Sequence, residues 1–301
     1  MSFSFDTKTE LCRAAFADKC CALAECYGIL LYGNTFSARE IRVVTGNSSF
    51  GQRLADAFSS AFSLEFDVLP DPEKTGKQAY VINDPRKLIS IFEAYGASTE
   101  SMVAHHVNLG VLEEECCRRS YIRGAFLAGG AITDPSKSYH MELVTDHYSV
   151  SKETYSLLLD MGLFPKETSR GGNYITYFKQ STAIEDLLTL IGAPLHAMEL
   201  MSTKIEKDVR NSVNRKVNCD TANVTKTVDA AAAQIEAIRR IEAGGAFEAL
   251  PEKLRQTASL RLQNPELSIK DLAEISVPPV TKSCLSHRLR KLVELSDVTL
   301  L

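Results

Sequence analysis

No apolar run in the 301 residues is long enough to cross a bilayer, which excludes a helical membrane span. The first residues, "MSFSFDTKTELCRAAF", carry acids early and lack a basic stretch followed by an apolar one. They do not read as a secretory leader, and the chain is expected to be cytoplasmic. No C-x-x-C pair occurs, although there are eight cysteines. Two adjacent pairs are present, Cys20/Cys21 and Cys116/Cys117, with Cys12, Cys26, Cys219 and Cys284 scattered. No Cys/His spacing suits zinc, so the cysteines are expected to be mostly small buried residues in a reducing compartment, with no metal and no cofactor.

An extreme charge is missing too. The net charge is −4, and 45% hydrophobic with 24% charged residues is ordinary for a globular protein with room for a core and two domains. The charge is unevenly spread. Residues 1–195 hold 18 lysines and arginines against 24 acids, residues 196–249 hold 8 against 8, and residues 250–301 hold 8 against 6. Only the C-terminal piece leans basic, so a polyanion is expected to bind there.

What is present is a repeat. The stretch "YIRGAFLAGGAITDP" (121–135) is rich in small residues, and each interior glycine costs a helix about 1 kcal/mol relative to alanine. Such a helix is explained if another backbone comes close. Setting "YGILLYGNTF" (27–36) under "RGAFLAGGAI" (123–132) aligns Gly28 with Gly124 and Gly33 with Gly129, both at an offset of 96. Strand-like "IRVVTGN" and "MELVTDH" follow, then helical "FGQRLADAFSSAF" and "KETYSLLLDMGLF". β-rich "QAYVIN" and "NYITYF" come next, after the turns "EKTGK" and "TSRGG". Each copy closes on a helix ending in Gly-Ala, Gly96-Ala97 and Gly192-Ala193, again 96 apart. The copies span about 20–97 and 116–193, each reading helix, strand, helix, strand, helix, with one more strand in 65–70 or 133–141.

A duplicated unit that opens on a small-residue helix implies that the two helices pack on each other about a pseudo-two-fold axis. The plainer alternative is a core helix with incidental glycines. The pattern resembles the LAGLIDADG fold of homing endonucleases, whose paired helices form such a seam beneath a DNA-binding saddle. In those nucleases an acid near the end of each seam helix holds the catalytic metal ions. Here the aligned positions are Gly33 and Gly129, which offer no side-chain ligand. Asn34 and Asp134 are the nearby candidates, and Asp134, before Pro135, reads as a turn residue. No nuclease activity is expected, with a residual nuclease using Asn34 or Asp134 as the enzyme alternative.

Residues 250–301 read as three helices. "LPEKLRQTASLRLQNP" carries Leu254 and Ala258 on one face. "LSIKDLAEIS" begins with Ser268 as N-cap and buries Ile269, Leu272 and Ala273. "TKSCLSHRLRKLVELS" starts from Thr281 as N-cap and buries Leu285, Leu289 and Leu292. A short capped helix, a tight turn and a longer basic helix make the helix-turn-helix pattern; a plain three-helix bundle with a solvated basic face is the alternative. The expected double-stranded-DNA contacts are Thr281, Lys282, Ser283, Ser286, His287, Arg288, Arg290 and Lys291. Ser286 and Arg288 are the candidates for base edges and Lys291 for phosphate.

Residues 196–249 form a helical connector, with "AGGAF" (243–247) as hinge. Its Asn/Thr-rich segment 214–231 is expected to break near "NCDTAN", because such side chains compete for backbone hydrogen bonds; a polar face for DNA or a partner is the alternative. Taken with "ECYGILLYGNTF", "RRSYIRGAFLAGGAITDPSKSYHMEL", "NRKVNCDTANVTK" and "PPVTKSCLSHRLRKL", the chain resembles the WhiA family of bacterial sporulation and cell-division regulators nearly end to end. That resemblance implies an α+β fold: a duplicated, degenerate LAGLIDADG-like pseudo-dimer followed by an all-α helix-turn-helix domain. It implies a sequence-specific, nucleoid-associated DNA-binding regulator of transcription, cell division, chromosome segregation or sporulation. A scaffold whose acidic repeat domain binds a protein partner is the competing reading.

Overall fold

The structure, a computed structural model, describes residues 2–71, 76–99 and 104–298. It divides into two compact units, Met1–Lys207 and Asp208–Leu301.

In the first unit, α1 (Phe3–Leu11) precedes the two copies. Copy one comprises α2 (Lys19–Tyr32), β1 (Thr35–Phe36), β2 (Ile41–Thr45), α3 (Ser48–Phe62), β3 (Gln78–Ile82) and α4 (Pro85–Ala94). Copy two comprises α5 (Glu115–Gly129), β4 (Gly130–Ile132), β5 (Met141–Thr145), α6 (Tyr148–Asp160), β6 (Lys166–Arg170), β7 (Asn173–Phe178) and α7 (Ser181–Ile191). Each copy builds an antiparallel sheet, β1-β2-β3 in the first and β4-β5-β7-β6 in the second. Alternation sets the faces: Met141, Leu143 and Thr145 of β5 are buried, and so are Ile41 and Val43 of β2. Side-chain caps fix the helix starts. Asn47 accepts from the Phe50 amide at 3.1 Å to open α3, and Asp84 accepts from the Arg86 amide at 2.8 Å to open α4, where Pro85 takes the first helical position.

The seam is present. A Cβ on Gly28 would lie 2.1 Å from the Tyr121 carbonyl oxygen and 2.7 Å from the Ala125 nitrogen. One on Gly124 would lie 2.1 Å from the Glu25 carbonyl oxygen and 3.0 Å from the Ile29 nitrogen. Adding 96 to Gly28, Glu25 and Ile29 gives Gly124, Tyr121 and Ala125, so the two sets of contacts are exchanged by the repeat. Helices α2 and α5 therefore run side by side, and only glycine fits where they touch.

Three expectations need correction. The additional strand of copy two is β6, at 166–170 and not at 133–141, and it turns on Gly171 and Gly172, both at positive φ. In copy one the matching segment is reduced to a single bridge, Val68 with Val81. Short strands β1 and β4 also follow the seam helices directly; at two and three residues they are too short to show alternation. The third correction concerns the connector, which does not break near "NCDTAN": α8 runs unbroken over Pro194–Ala243. Its polar side chains bond back along their own helix instead of competing with it. The Thr227 hydroxyl donates to the Asn223 carbonyl at 2.9 Å, and the Asn223 amide to Cys219 Sγ at 3.7 Å.

In the second unit, the end of α8 joins α9 (Glu252–Gln263), α10 (Ile269–Ile275) and α11 (Lys282–Val298) around one core. Ile238 and Ile241 of α8 pack there with Leu254, Ala258, Leu272, Leu285, Leu289 and Leu292.

Candidate nucleic-acid interface

Helix α11 is positioned by its apolar face. Leu285, Leu289 and Leu292, at i, i+4 and i+7, are each 1% exposed. The Thr281 hydroxyl accepts from the Cys284 amide at 3.2 Å, so it caps the helix and fixes where its first turn begins. Ahead of it, Ser268 accepts from the Asp271 amide at 3.3 Å and donates to the Asp271 carboxylate at 2.8 Å, which sets the start of α10. The Val280 amide donates to the Ala273 carbonyl at 3.1 Å, closing the turn between the two helices.

With the leucines inward, the helical period turns Ser283, His287 and Arg290 outward, and all three are exposed. Lys282 and Lys291 are exposed at the sides. Ser286 and Arg288 sit on the shoulders and are half-buried, Arg288 lining a cleft with Val277, Pro278 and Glu252. Among the described residues none of the four α11 cations is held in an ion pair, whereas Arg240, Arg255 and Lys270 of this unit are paired with acids.

One buried cation was not apparent from pattern. Arg261 continues the Leu254–Ala258 face of α9, where a heptad reading expects an apolar side chain. It is 1% exposed and donates from Nη1 to the Leu267 carbonyl at 2.7 Å, holding the α9–α10 connection. Among the described residues its Nε has no partner. It lines a cleft of about 260 Å³ with Lys226, Gln234, Ser268, Lys270 and Lys282 and no acid. Lys226 belongs to the Asn/Thr-rich segment of α8, so that segment contributes a cation beside the start of α11.

The two candidate acids or amides of the seam are otherwise engaged. Asn34 Oδ1 accepts from the Val44 amide at 2.7 Å, and Asp134 accepts from the Ser136 amide at 2.8 Å as a turn residue. The Ser136 hydroxyl and amide, with nearby Lys137 and Lys207, hold the Asp134 carboxyl below the usual range. At Gly129 a Cβ would lie 2.5 Å from the Val144 carbonyl oxygen and 3.0 Å from that of Tyr32, so no carboxylate fits there without displacing backbone.

The model for the WhiA LAGLIDADG-like domain matches residues 118–210, and that for the WhiA C-terminal HTH domain matches 213–296. A probable cell division protein WhiA of Ruminiclostridium cellulolyticum is 38% identical over 305 residues, covering 99% of this chain and 97% of that protein. Its counterpart in Alkaliphilus oremlandii is 36% identical, covering 98% and 97%. Among solved structures, full-length WhiA from Thermatoga maritima aligns with a TM-score of 0.60 at 24% identity, covering 99% of this chain and 98% of that one, a likeness of fold. With the repeat, the glycine seam and the C-terminal helix-turn-helix accounted for over the whole length, the chain belongs to the WhiA family.

Proposed function

We propose that this protein is a sequence-specific, double-stranded-DNA-binding regulator, nucleoid-associated, that acts in cell division, chromosome segregation, transcription or sporulation and does not cut DNA. The observation that carries the reading is the exposed face of α11. It presents Ser283, His287 and Arg290 outward, flanked by unpaired Lys282 and Lys291, on a helix whose start and depth are fixed by its cap and its leucines. A helix so held enters a major groove with hydrogen-bonding side chains toward base edges and cations toward phosphate. Lys226, Lys270 and Lys282 around Arg261 form an acid-free concavity suited to a backbone phosphate. The relatives' name, probable cell division protein, fits a regulatory role.

The absence of cleavage rests on the seam. Two-metal hydrolysis needs a symmetric pair of carboxylates; Gly129 has no room for one, and Asn34 and Asp134 are held in different local structures. The test is footprinting of the full chain on host DNA, followed by incubation of the bound sites with Mg²⁺ or Mn²⁺. Protected sites of shared sequence and intact DNA are expected. Binding that ignores sequence, or nicking lost in Asp134→Ala, would overturn the respective half of the reading.

A further inference from the structure

The two Cys-Cys pairs are themselves related by the repeat: adding 96 to Cys20 and Cys21 gives Cys116 and Cys117. Each pair opens a seam helix, Cys20 and Cys21 the first turn of α2, Cys116 and Cys117 the first turn of α5. Because α2 and α5 run side by side through Gly28 and Gly124, the pseudo-two-fold axis that joins their middles also joins their starts. The four Sγ atoms all lie within 4.8 Å of one another. Motif spacing could not reveal this, since the two cysteines of each pair are adjacent and the pairs are separated by a full repeat.

We propose that Cys20, Cys21, Cys116 and Cys117 bind one Zn²⁺ through four thiolates, pinning the beginnings of the two seam helices together. Tetrahedral zinc with Zn–S near 2.3 Å sets sulfurs at an edge of about 3.8 Å, so a cluster already inside 4.8 Å closes onto the ion with side-chain adjustment alone. Four soft thiolates, with no carboxylate in the group among the described residues, select zinc over magnesium or calcium. Binding converts four S–H groups and the ion into a zinc tetrathiolate of charge −2, releasing four protons to solvent. The surroundings offset that charge. Both helices point their positive N-terminal ends at the cluster, and neither is capped by a side chain of its own. Cys21 and Cys117 are buried, while exposed Cys20 and half-buried Cys116 leave an entry path. Paired disulfides would gather the sulfurs two by two at about 2.05 Å, whereas here four converge on one centre.

The test uses the full chain purified without oxygen. Expected are one equivalent of zinc by elemental analysis and, after chelation, uptake of one equivalent of Co²⁺ with intense thiolate-to-cobalt charge-transfer and tetrahedral ligand-field bands, displaced by Zn²⁺. Cys20→Ser/Cys116→Ser, which spares the buried pair, should lose the bands while keeping the parent's circular dichroism. Cys219→Ser/Cys284→Ser, at exposed cysteines outside the cluster, should keep them. The proposal is overturned by a reduced parent chain that takes up neither ion, or by uptake that survives in Cys20→Ser/Cys116→Ser. Disulfide-linked peptides joining the two pairs in the anaerobic preparation, or iron with labile sulfide in place of zinc, overturn it equally.

Discussion

Arg123 of α5 donates to the Glu25 carboxylate of α2 at 3.1 Å, across the seam between the two copies. Glu25 is completely buried and also receives both a Nε and a Nη2 bond from Arg53 of α3. One carboxylate is thus shared by two buried guanidiniums, and Arg123 gains a further anchor in the Ile191 carbonyl at 2.6 Å. Glu25→Gln leaves two buried cations without a counter-charge, and breaking a buried pair in this way costs about 3–5 kcal/mol. Replacing all three side chains by Leu, Met and Met should recover most of that loss. Urea unfolding of the two variants checks it, and equal stability for both would show that the cluster carries no such charge imbalance.

The glycine contact should tolerate no added carbon. Gly124→Ala places a Cβ against the Glu25 carbonyl, a rigid backbone neighbour, and overpacking of this kind costs about 1–3 kcal/mol. Lys152→Leu, at an exposed position of α6, removes a solvated ion pair with Glu167 at 2.8 Å and a contact with the Tyr148 ring, and should be nearly neutral. Melting curves should rank Gly124→Ala well below Lys152→Leu.

Lys8 gives the stability a pH dependence. Its ammonium sits over the Phe126 ring and donates to the Leu127 carbonyl at 3.0 Å, and burial lowers its pKa from 10.5 to about 8. A base with a lowered folded pKa destabilises the fold fully below pH 8, where both states are charged. The penalty fades as pH rises from about 8 to 10.5, where the unfolded state still holds the proton and the folded state has lost it. Lys8→Met should therefore raise the melting temperature at pH 7 and gain much less at pH 10. A gain independent of pH would mean that the methionine acts by packing alone.

On α11 the outward and shoulder positions should separate. Arg290→Ala or His287→Ala is expected to cost about 1–3 kcal/mol on a target duplex and to relax preference at one base position. Lys291→Ala should weaken target and scrambled DNA alike and reduce the salt slope by about one. Arg288→Ala, from a half-buried side chain lining a cleft, should resemble Lys291→Ala in its indifference to sequence. Fluorescence anisotropy at several salt concentrations reads all of these, and sequence-specific loss confined to Ser286→Ala and Arg288→Ala would return base reading to the shoulders of the helix.

The repeat, the seam and the three C-terminal helices were legible because their signals are local or periodic: Gly28 and Gly124 share an offset, Leu285 to Leu292 a helical period, and Ser268 and Thr281 capping positions. What escaped was decided by partners distant in sequence. Only Cys21, Cys26 and Cys117 of the eight cysteines are buried, contrary to the expectation that most would be. The meeting of Cys20 with Cys117 needed the axis of the seam as well as the offset. Arg261 is buried because the carbonyls of the α9–α10 connection receive it, which composition could not show. Residues 218–223 stay helical within α8, where the Asn223 amide bonds back to Cys219 Sγ.

The contact of Gly28 with Gly124 also governs the order of events during synthesis. Helix α2 is complete once Tyr32 has been added, yet the seam surface that covers its Gly28 face is made only with α5, nearly a hundred residues later. At about 5–20 residues per second that interval lasts roughly 5–20 s. Throughout it the nascent chain exposes an apolar helix of which Ile29, Leu30 and Leu31 end fully buried. The first copy therefore does not mature at the ribosome as a finished domain. Both copies are committed together, when the second helix arrives, and a chain arrested before Glu115 should remain sensitive to protease within α2.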